Sequence, residues 1–276
     1  MPELPEVETI RRGLEPRVAG RTIEAVRIHA GAERLAITHS PRELEDELAG
    51  LRIEALGRHG KYLIAALDDE RSWVLHLRMT GVLLIGDRSA PQERFERARV
   101  DLDDGCTLRF NDIRKFGTWH LVEDPADAMP RIGPDALSGE FSVRWLRDAL
   151  GRRSVAVKSA LLDQRVAAGV GNIYADEALW IAGIDPRTAA NSIGPRRVAR
   201  LHAALLETLR DGLADGGSSF DEYRDAFGLT GGHHLRVHVF RRTGEPCERP
   251  RCRGREIRKI RIGGRATHFC MGCQRR

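Results

Sequence analysis

Four of the five cysteines lie near the C-terminus, with the spacing Cys247-x4-Cys252-x17-Cys270-x2-Cys273. Two close pairs separated by a short segment are typical of tetrahedral zinc sites. Because thiolates would fill all four positions, no coordination position stays open for a substrate, and the pattern predicts one structural zinc ion. The metal would fold a ribbon that is too small to bury a core unaided.

The segment between the two cysteine pairs carries Ile257, Ile260 and Ile262 among basic residues, which predicts a short hairpin that presents cations. The stretch from Cys247 to Arg276 contains ten Lys or Arg and two Asp or Glu, so it carries +8 in a chain of net charge +5. Such a concentrated charge favours a polyanionic partner such as DNA. A solvated basic tail and a ribbon that docks a second subunit are the alternative interpretations.

A second pattern is the glycine-containing segment AGVGNIY, residues 168–174, between two predicted helices. Glycine permits tight turns and close backbone approach, and the amide groups at the start of the following helix can bind a phosphate. A plain interhelical turn explains the same residues, so both interpretations stay open at this point.

The N-terminus, MPELPE, is the third feature. We expect removal of the initiator methionine, which leaves Pro2 with a free secondary amine. An α-amine titrates near 8 and a lysine near 10.4, so at neutral pH the terminal amine is uncharged about a few hundred times more often. Its attack on a sugar carbon would give an iminium ion, which makes the adjacent proton removable and the phosphate a leaving group. Glu3 and Glu6 could supply the acid and base, although Pro-Glu near a terminus also simply begins a helix.

Six segments identify the sequence as similar to the formamidopyrimidine-DNA glycosylases. In chain order they are PELPEVETIRRGL, GRHGKYL, HLRMTG, NDIRKFG, LLDQRVAAGVGNIYADEALW and GRATHFCMGCQ. The agreement spans essentially the whole chain, which makes it more specific than any one motif. The related endonuclease VIII branch shares the architecture but usually departs from the Leu-Pro that follows Glu3 here.

The resemblance implies a bifunctional DNA glycosylase and AP lyase of base excision repair. Such an enzyme excises oxidised purines, namely formamidopyrimidines and 8-oxoguanine, through a Schiff base on Pro2 and cleaves the strand by β,δ-elimination. Its partner would be double-stranded DNA with oxidised bases or abasic sites. It would be a monomer and would not bind a membrane. A non-catalytic lesion-binding protein on the same scaffold is one alternative, against which Pro2, Glu3 and Lys61 argue. A preference for oxidised pyrimidines, as in endonuclease VIII, is the other.

The resemblance also implies a role for each candidate residue. Glu3 would protonate the sugar ring oxygen, and Lys61 would contact a phosphate beside the lesion. Met79, Arg114 and Phe116 would fill the gap left by a flipped base. Without the resemblance, Met79 and Phe116 would be interpreted as core residues of a strand. The predicted catalytic residues are Pro2, Glu3, Lys61 and Arg265, the DNA-binding residues are Glu6, Met79, Arg114, Phe116, Lys158, Asn172 and Arg265, and the zinc ligands are Cys247, Cys252, Cys270 and Cys273.

The sequence departs from the family pattern in two places. Four residues separate Cys247 from Cys252 where the family generally has two, which lengthens the knuckle and removes no ligand. The segment 218–239, expected to form a mobile loop over the flipped base, has His233 and His234 after two glycines where an aromatic residue is usual. Because histidine titrates near 6.5, a contact of either ring with base or phosphate predicts weaker or pH-sensitive release of 8-oxoguanine.

These groups need a scaffold. Val7, Ile10 and Leu14 recur at helical spacing, which predicts an amphipathic helix ending near Gly20. From residue 22 to about residue 122 the pattern is one of strands, with a hairpin turn at Asp104-Gly105 between alternating apolar residues. Helical spacing then returns at residues 143–150, 155–164, 174–181 and 196–213.

The predicted fold class is α+β: an N-terminal β-sandwich with an N-terminal helix, a helix-two-turn-helix domain and a C-terminal zinc-ribbon hairpin. We expect a catalytic sandwich at 1–125, the helical domain at 135–217, a lesion-capping loop and connector at 218–239 and a zinc finger at 240–276, with a linker at 123–139. No apolar run approaches the length of a membrane span and no signal peptide is evident, so we expect a cytoplasmic protein. The family resemblance implies that it is a bacterial protein associated with the nucleoid.

Overall fold

The computed structural model describes residues 1–129 and 131–276. The chain divides into two compact units, one formed by Met1–Pro130 with Asp215–His234 and the other by Arg131–Ala214 with Leu235–Arg276. Each unit is described by itself. Within the described residues, no helix has both the length and the apolar composition needed to cross a bilayer.

The first unit is a β-sandwich preceded by a helix. Its two antiparallel sheets have the strand orders β1-β6-β7-β5 and β2-β3-β4-β8. The elements are α1 (Leu4–Val18), β1 (Ile23–Ile28), α2 (Pro41–Leu48), β2 (Ile53–His59), β3 (Tyr62–Leu67), β4 (Ser72–His76), β5 (Gly81–Asp87), β6 (Glu96–Leu102), β7 (Cys106–Asp112), β8 (Thr118–Val122) and the short α3 (Pro125–Ala128).

The core of this unit explains why α1 lies where it does. Val7, Ile10 and Leu14 are almost fully buried and belong to one cluster with residues of both sheets. At the centre the Trp119 ring makes edge contacts with Trp73, at 4.8 Å between centroids, and with Phe110, at 5.7 Å. The predicted sandwich and its N-terminal helix are therefore confirmed, as is the hairpin between β6 and β7.

Helix α2 was not predicted from the sequence, which indicated strands from residue 22 to residue 122. The signal was nevertheless present: Ser40 accepts a hydrogen bond from the Glu43 amide, and the Glu43 carboxylate accepts one from the Ser40 amide at 2.8 Å. This capping box precedes Leu44 and Leu48, both fully buried. The strand prediction was wrong here because four-residue spacing, not alternation, fits these residues.

The second unit is helical and ends in a hairpin. Its elements are α4 (Val143–Gly151), α5 (Val157–Leu162), α6 (Asn172–Ala182), α7 (Pro195–Ala214), β9 (Arg258–Ile262) and β10 (Arg265–Phe269). The four helices lie where helical spacing predicted them, although α5 is shorter than the predicted 155–164. Strands β9 and β10 pair antiparallel with Arg265 opposite Ile262. The predicted cationic hairpin is confirmed, and the division into four domains remains a proposal.

Candidate active site and nucleic-acid interface

The N-terminal residues are held by the first turn of α1. Pro2, Glu3 and Glu6 are all buried. The Glu3 amide donates to Glu6 Oε2 at 2.8 Å, and the Ser218 amide donates to Glu6 Oε1, also at 2.8 Å. One carboxylate therefore fixes both the chain end that carries Pro2 and the start of the segment 218–231.

Tyr223 and Gly217 complete the surroundings of Glu6. The Tyr223 hydroxyl donates to the Gly216 carbonyl at 3.1 Å. Burial and the nearby charge of Glu6 raise the pKa of Tyr223, so its hydroxyl keeps its proton and remains a donor. Gly217 has φ +87°, and a Cβ there would lie 3.0 Å from Glu6 Cγ and 2.8 Å from the Tyr223 ring. A side chain at residue 217 would displace the carboxylate.

Lys61 lies in the turn between β2 and β3 and is 6% exposed. Burial first, and then the charges of Arg78 and Lys61, lower the pKa of His76 to about 3. The neutral His76 ring accepts the Arg78 amide on Nδ1 at 2.8 Å, and Arg78 has φ +54°. His76 thus stabilises the strained residue just before Met79. Sequence reasoning missed His76, although it lies in the HLRMTG segment.

Met79, Arg114 and Phe116 come together at the surface. Met79 is 39% exposed and Phe116 48%. Arg114 Nη1 lies 3.1 Å from Met79 Sδ, and the guanidinium lies 4.7 Å from the centre of the Phe116 ring. The alternative that Met79 and Phe116 are core residues is wrong. An exposed apolar pair with an arginine between them has the composition of a wedge that enters a base stack.

Asp112 holds the loop that carries Arg114 and Phe116. Sequence reasoning missed this role, although Asp112 lies in the NDIRKFG segment. Asp112 is 1% exposed. Its Oδ2 atom accepts the amides of Phe116 and Gly117, each at 2.8 Å, and its Oδ1 atom accepts the Arg114 amide at 3.1 Å. The hydroxyl of Thr80, next to Met79, also donates to Oδ1. A single carboxylate therefore sets the positions of both wedge segments.

In the second unit, Asn172 is the first residue of α6 and follows a loop built around Gln164. The Gln164 side chain accepts the Gly169 amide at 2.9 Å and donates to the Val170 carbonyl at 2.9 Å. Gly169 has φ +95°, which favours glycine. Asn172 Oδ1 is buried and has no hydrogen-bond partner within the described chain. Arg265, the first residue of β10, is exposed.

Lys158 departs from its predicted role. It is 0% exposed, and its Nζ atom forms an ion pair with Asp176 Oδ1 at 2.7 Å. The same ammonium donates to the Ala266 carbonyl at 2.7 Å and to Thr267 Oγ1 at 2.9 Å. Contact with DNA needs an accessible ammonium, so the structure corrects the predicted DNA-binding role: Lys158 ties α5 to α6 and to β10.

The four C-terminal cysteines form one cluster. Their Sγ atoms all lie within 4.8 Å of one another, with Cys247 to Cys273 at 3.9 Å and Cys252 to Cys270 at 3.7 Å. A tetrahedral zinc site with Zn–S bonds of about 2.3 Å needs sulfurs about 3.8 Å apart. All four side chains are buried, and burial raises the pKa of Cys252 to about 11. Four buried sulfurs this close fit a dication that would hold them as thiolates.

The knuckle between Cys247 and Cys252, which is longer than in the family pattern, packs on the end of α6. The Arg249 guanidinium lies 4.1 Å from the centre of the Trp180 ring and donates to the carbonyls of Trp180 and Ile181, both at 2.8 Å. The His238 ring stacks on Trp180 at 4.2 Å. The residues added between Cys247 and Cys252 therefore anchor the ribbon to a helix C-terminus, where a cation is favoured.

The two histidines of the capping segment contact the chain itself. His233 is 5% exposed, and its Nδ1 atom lies 2.9 Å from Asp215 Oδ2. His234 Nδ1 lies 3.1 Å from the Gly231 carbonyl, and its ring makes an edge contact with Phe220 at 5.7 Å. His233 is thus at the base of the segment and not at its tip.

Comparisons with known proteins agree with this arrangement. Residues 1–119 match the family model for the formamidopyrimidine-DNA glycosylase N-terminal domain, and residues 132–223 match the model for its H2TH domain. The chain is 42% identical to a formamidopyrimidine-DNA glycosylase of Herpetosiphon aurantiacus over 99% of this chain and 100% of the relative. It is 40% identical to the Bacillus subtilis enzyme of that name, over 99% of each.

Solved structures give the same result. The structure of Lactococcus lactis Fpg with DNA containing Fapy-dG has a TM-score of 0.89 and 36% identity, and covers 99% of this chain and 100% of that one. The complex of the same enzyme with DNA containing an abasic site gives the same four values. Fold and site thus define a DNA glycosylase of base excision repair. The chain belongs to the formamidopyrimidine-DNA glycosylase family, which confirms the resemblance seen in its sequence.

Proposed function

We propose that this glycosylase is bifunctional: it excises oxidised purines and then cleaves the strand by β,δ-elimination, using the amine of Pro2. The observation that supports this most directly is the arrangement at Glu6, which binds the Glu3 amide and so fixes the residue next to Pro2. An amine that must attack a sugar carbon needs such restraint, because orientation contributes strongly to the rate. The neutral terminal amine is also the better nucleophile at pH 7.

The proposed steps use residues of the first unit. The Pro2 nitrogen forms a bond to C1′, the bond from C1′ to the base breaks, and the base leaves with a proton. Glu3 protonates the ring oxygen, the ring opens, and an iminium ion forms. Loss of the C2′ proton then breaks the bond from C3′ to its phosphate, and a second elimination releases the phosphate at C5′.

The proposed substrate is double-stranded DNA with an oxidised purine or an abasic site. Lactococcus lactis Fpg has been solved with both kinds of DNA, which supports this assignment. Lys61, Asn172 and Arg265 would contact phosphates, and the wedge of Met79, Arg114 and Phe116 would fill the space left by the extruded base. Filling that space offsets part of the unstacking energy, about a few kcal/mol.

The cysteine cluster is proposed to hold one zinc ion. Bound there, zinc folds the ribbon and offers no open position for substrate. The ribbon in turn presents Arg265 on β10. Metal analysis of the purified protein should find about one zinc per chain, and Cys270→Ser should remove it. Full metal content in that variant would contradict the assignment of the ligands.

Trapping with borohydride tests the proposed chemistry. Duplexes carrying 8-oxoguanine, a formamidopyrimidine, an oxidised pyrimidine or an abasic site are incubated with the protein and reduced. We expect a covalent protein–DNA adduct through Pro2 with the purine lesions and the abasic site, and much less with the pyrimidine. Binding without any adduct would favour the non-catalytic alternative, and preferential trapping of the pyrimidine would favour an endonuclease VIII-like specificity.

A further inference from the structure

Within the first unit, the two ends of the segment 215–233 lie side by side and form a narrow neck of residues 215–218 and 231–233. The Gly232 amide donates to the Asp215 carbonyl at 2.8 Å, and the His233 amide donates to the Gly217 carbonyl at 3.0 Å. Ser218 and Gly232 form an antiparallel bridge. The two strands of the neck are therefore paired, while the residues between them form the loop.

The neck is close-packed backbone. A Cβ on Gly231 would lie 2.2 Å from the Gly217 carbonyl oxygen and 2.3 Å from that of Gly216. Gly216 and Gly217 have φ of +72° and +87°, which only glycine adopts readily. Four glycines lie in or beside the neck, and glycine loses more conformational entropy on ordering than other residues.

The side chains of Asp215 and His233 meet across this neck. His233 Nδ1 lies 2.9 Å from Asp215 Oδ2, with side-chain exposures of 6% and 16%. These residues lie at the opposite ends of the segment, 18 positions apart. The family resemblance predicts an aromatic residue after the glycine, and this chain has the His233–Asp215 pair there instead.

The neck also contacts the N-terminal site. Ser218, the first residue beyond the glycines, donates its amide to Glu6 Oε1, and Glu3 donates its amide to Glu6 Oε2. Opening of the neck would withdraw the Ser218 amide and leave one oxygen of a carboxylate that is 1% exposed without this donor. A buried charge that loses a hydrogen bond reorients or is destabilised.

We propose that the Asp215–His233 pair is a positioning element for base excision. By closing the neck, it keeps the Ser218 amide on Glu6 and thereby maintains the orientation of the residues beside Pro2. The inference rests on the proposed function, because it assumes that excision starts at Pro2. Neither residue of the pair acts on the substrate itself.

Loss of the pair should slow base excision more than strand cleavage. The loss of one buried hydrogen bond corresponds to about a tenfold change in rate. We therefore expect His233→Ala and Asp215→Ala each to lower the single-turnover excision rate of 8-oxoguanine about tenfold. Cleavage of a preformed abasic site, which depends less on the proposed acid Glu3 beside Pro2, should change less than about threefold.

The experiment compares these variants with matched controls. His233→Asn, whose amide nitrogen takes the position of the imidazole Nδ1 and can still donate to Asp215, should recover most of the rate, and the double variant should be no slower than either single alanine variant. His39→Gln changes a histidine that lies 3.7 Å from Glu47, outside the segment, and should behave like the parent. Amide hydrogen exchange should show faster exchange at Ser218 in the alanine variants and not in His233→Asn or His39→Gln.

Two results would overturn the proposal. One is additive losses in the double variant, which would mean that the residues act separately. The other is equal slowing of excision and abasic-site cleavage together with unchanged exchange at Ser218. If His233→Ala fails to fold, Asp215→Asn gives the same comparison. A parent protein that excises no lesion would refute the proposed function alone, since exchange at Ser218 reports on the neck without catalysis.

Discussion

Lys158 Nζ lies 2.7 Å from Asp176 Oδ1, and the exposures of the two side chains are 0% and 1%. A buried ion pair is destabilised most when one partner is removed and the other stays charged. We therefore expect Lys158→Met to lower the free energy of unfolding by about 3–5 kcal/mol. The double variant Lys158→Met, Asp176→Leu should recover part of the loss. Urea denaturation measures both free energies. Normal stability of Lys158→Met with a shallower salt dependence of DNA binding would instead restore the predicted DNA-binding role of Lys158.

Blocking the terminal amine should abolish the chemistry and leave DNA binding intact. A form that retains Met1, verified by mass spectrometry, should give no borohydride adduct and no strand cleavage, because the Pro2 nitrogen is then an amide. Its dissociation constant for lesion DNA should stay within about twofold of the processed form, since a phosphate-dominated interface is unchanged. Full activity of the verified Met1 form would exclude Pro2 as the nucleophile.

Glu3→Gln should separate the two reactions. The variant loses the proposed proton donor and keeps the backbone amide that binds Glu6. We expect excision of a formamidopyrimidine to fall by at least about a hundredfold, the usual contribution of a general acid. Cleavage of a preformed abasic site should fall much less. Equal losses on the two substrates in single-turnover assays would count against the acid role.

Arg265→Ala should weaken binding to all DNA sequences and make its salt dependence shallower. One lost phosphate contact changes the slope of log K against log salt concentration by about 0.9. Arg42→Ala removes the same charge from α2, where the side chain is 91% exposed, and is the matched control. A slope equal to that of the parent would place Arg265 away from the backbone of the DNA.

Because the pKa of the Glu8 carboxyl group is lowered in the folded protein, we expect the free energy of unfolding to fall at low pH. Burial opposes its ionisation, but hydrogen bonds from Arg11, Arg12 and Arg58 outweigh it and lower the pKa from 4.5 to about 2. The stabilisation is complete above pH 4.5 and is lost as the pH falls towards 2, by up to about 3 kcal/mol. Glu8→Gln should be less stable than the parent at pH 6 and show a flatter dependence between these values. An unchanged pH profile would mean that the three arginines do not favour the charged carboxylate.

Local patterns predicted most of the fold. Helical spacing predicted α1 and α7, and alternation of apolar and polar residues predicted the hairpin of β6 and β7. The spacing of the cysteines along the chain predicted that the four would form one cluster. The contacts that the sequence analysis missed join residues that lie far apart along the chain. Nothing near residue 158 shows that Asp176 will neutralise the lysine, and nothing near residue 233 shows that Asp215 lies opposite. Such pairs arise from the tertiary path of the chain, which short-range periodicity does not encode.

Three of the four tryptophans provide separate optical signals for the two units. Trp73 and Trp119 are in edge contact inside the sandwich. Trp180, in contrast, contacts His238 and the Arg249 guanidinium, which belongs to the knuckle between Cys247 and Cys252. Removal of the metal should loosen that knuckle and expose the Trp180 indole, which shifts its fluorescence emission to longer wavelength. The sandwich pair should keep its blue emission in the same sample. A single spectrum during chelation would therefore follow melting of the ribbon while the sandwich stays folded.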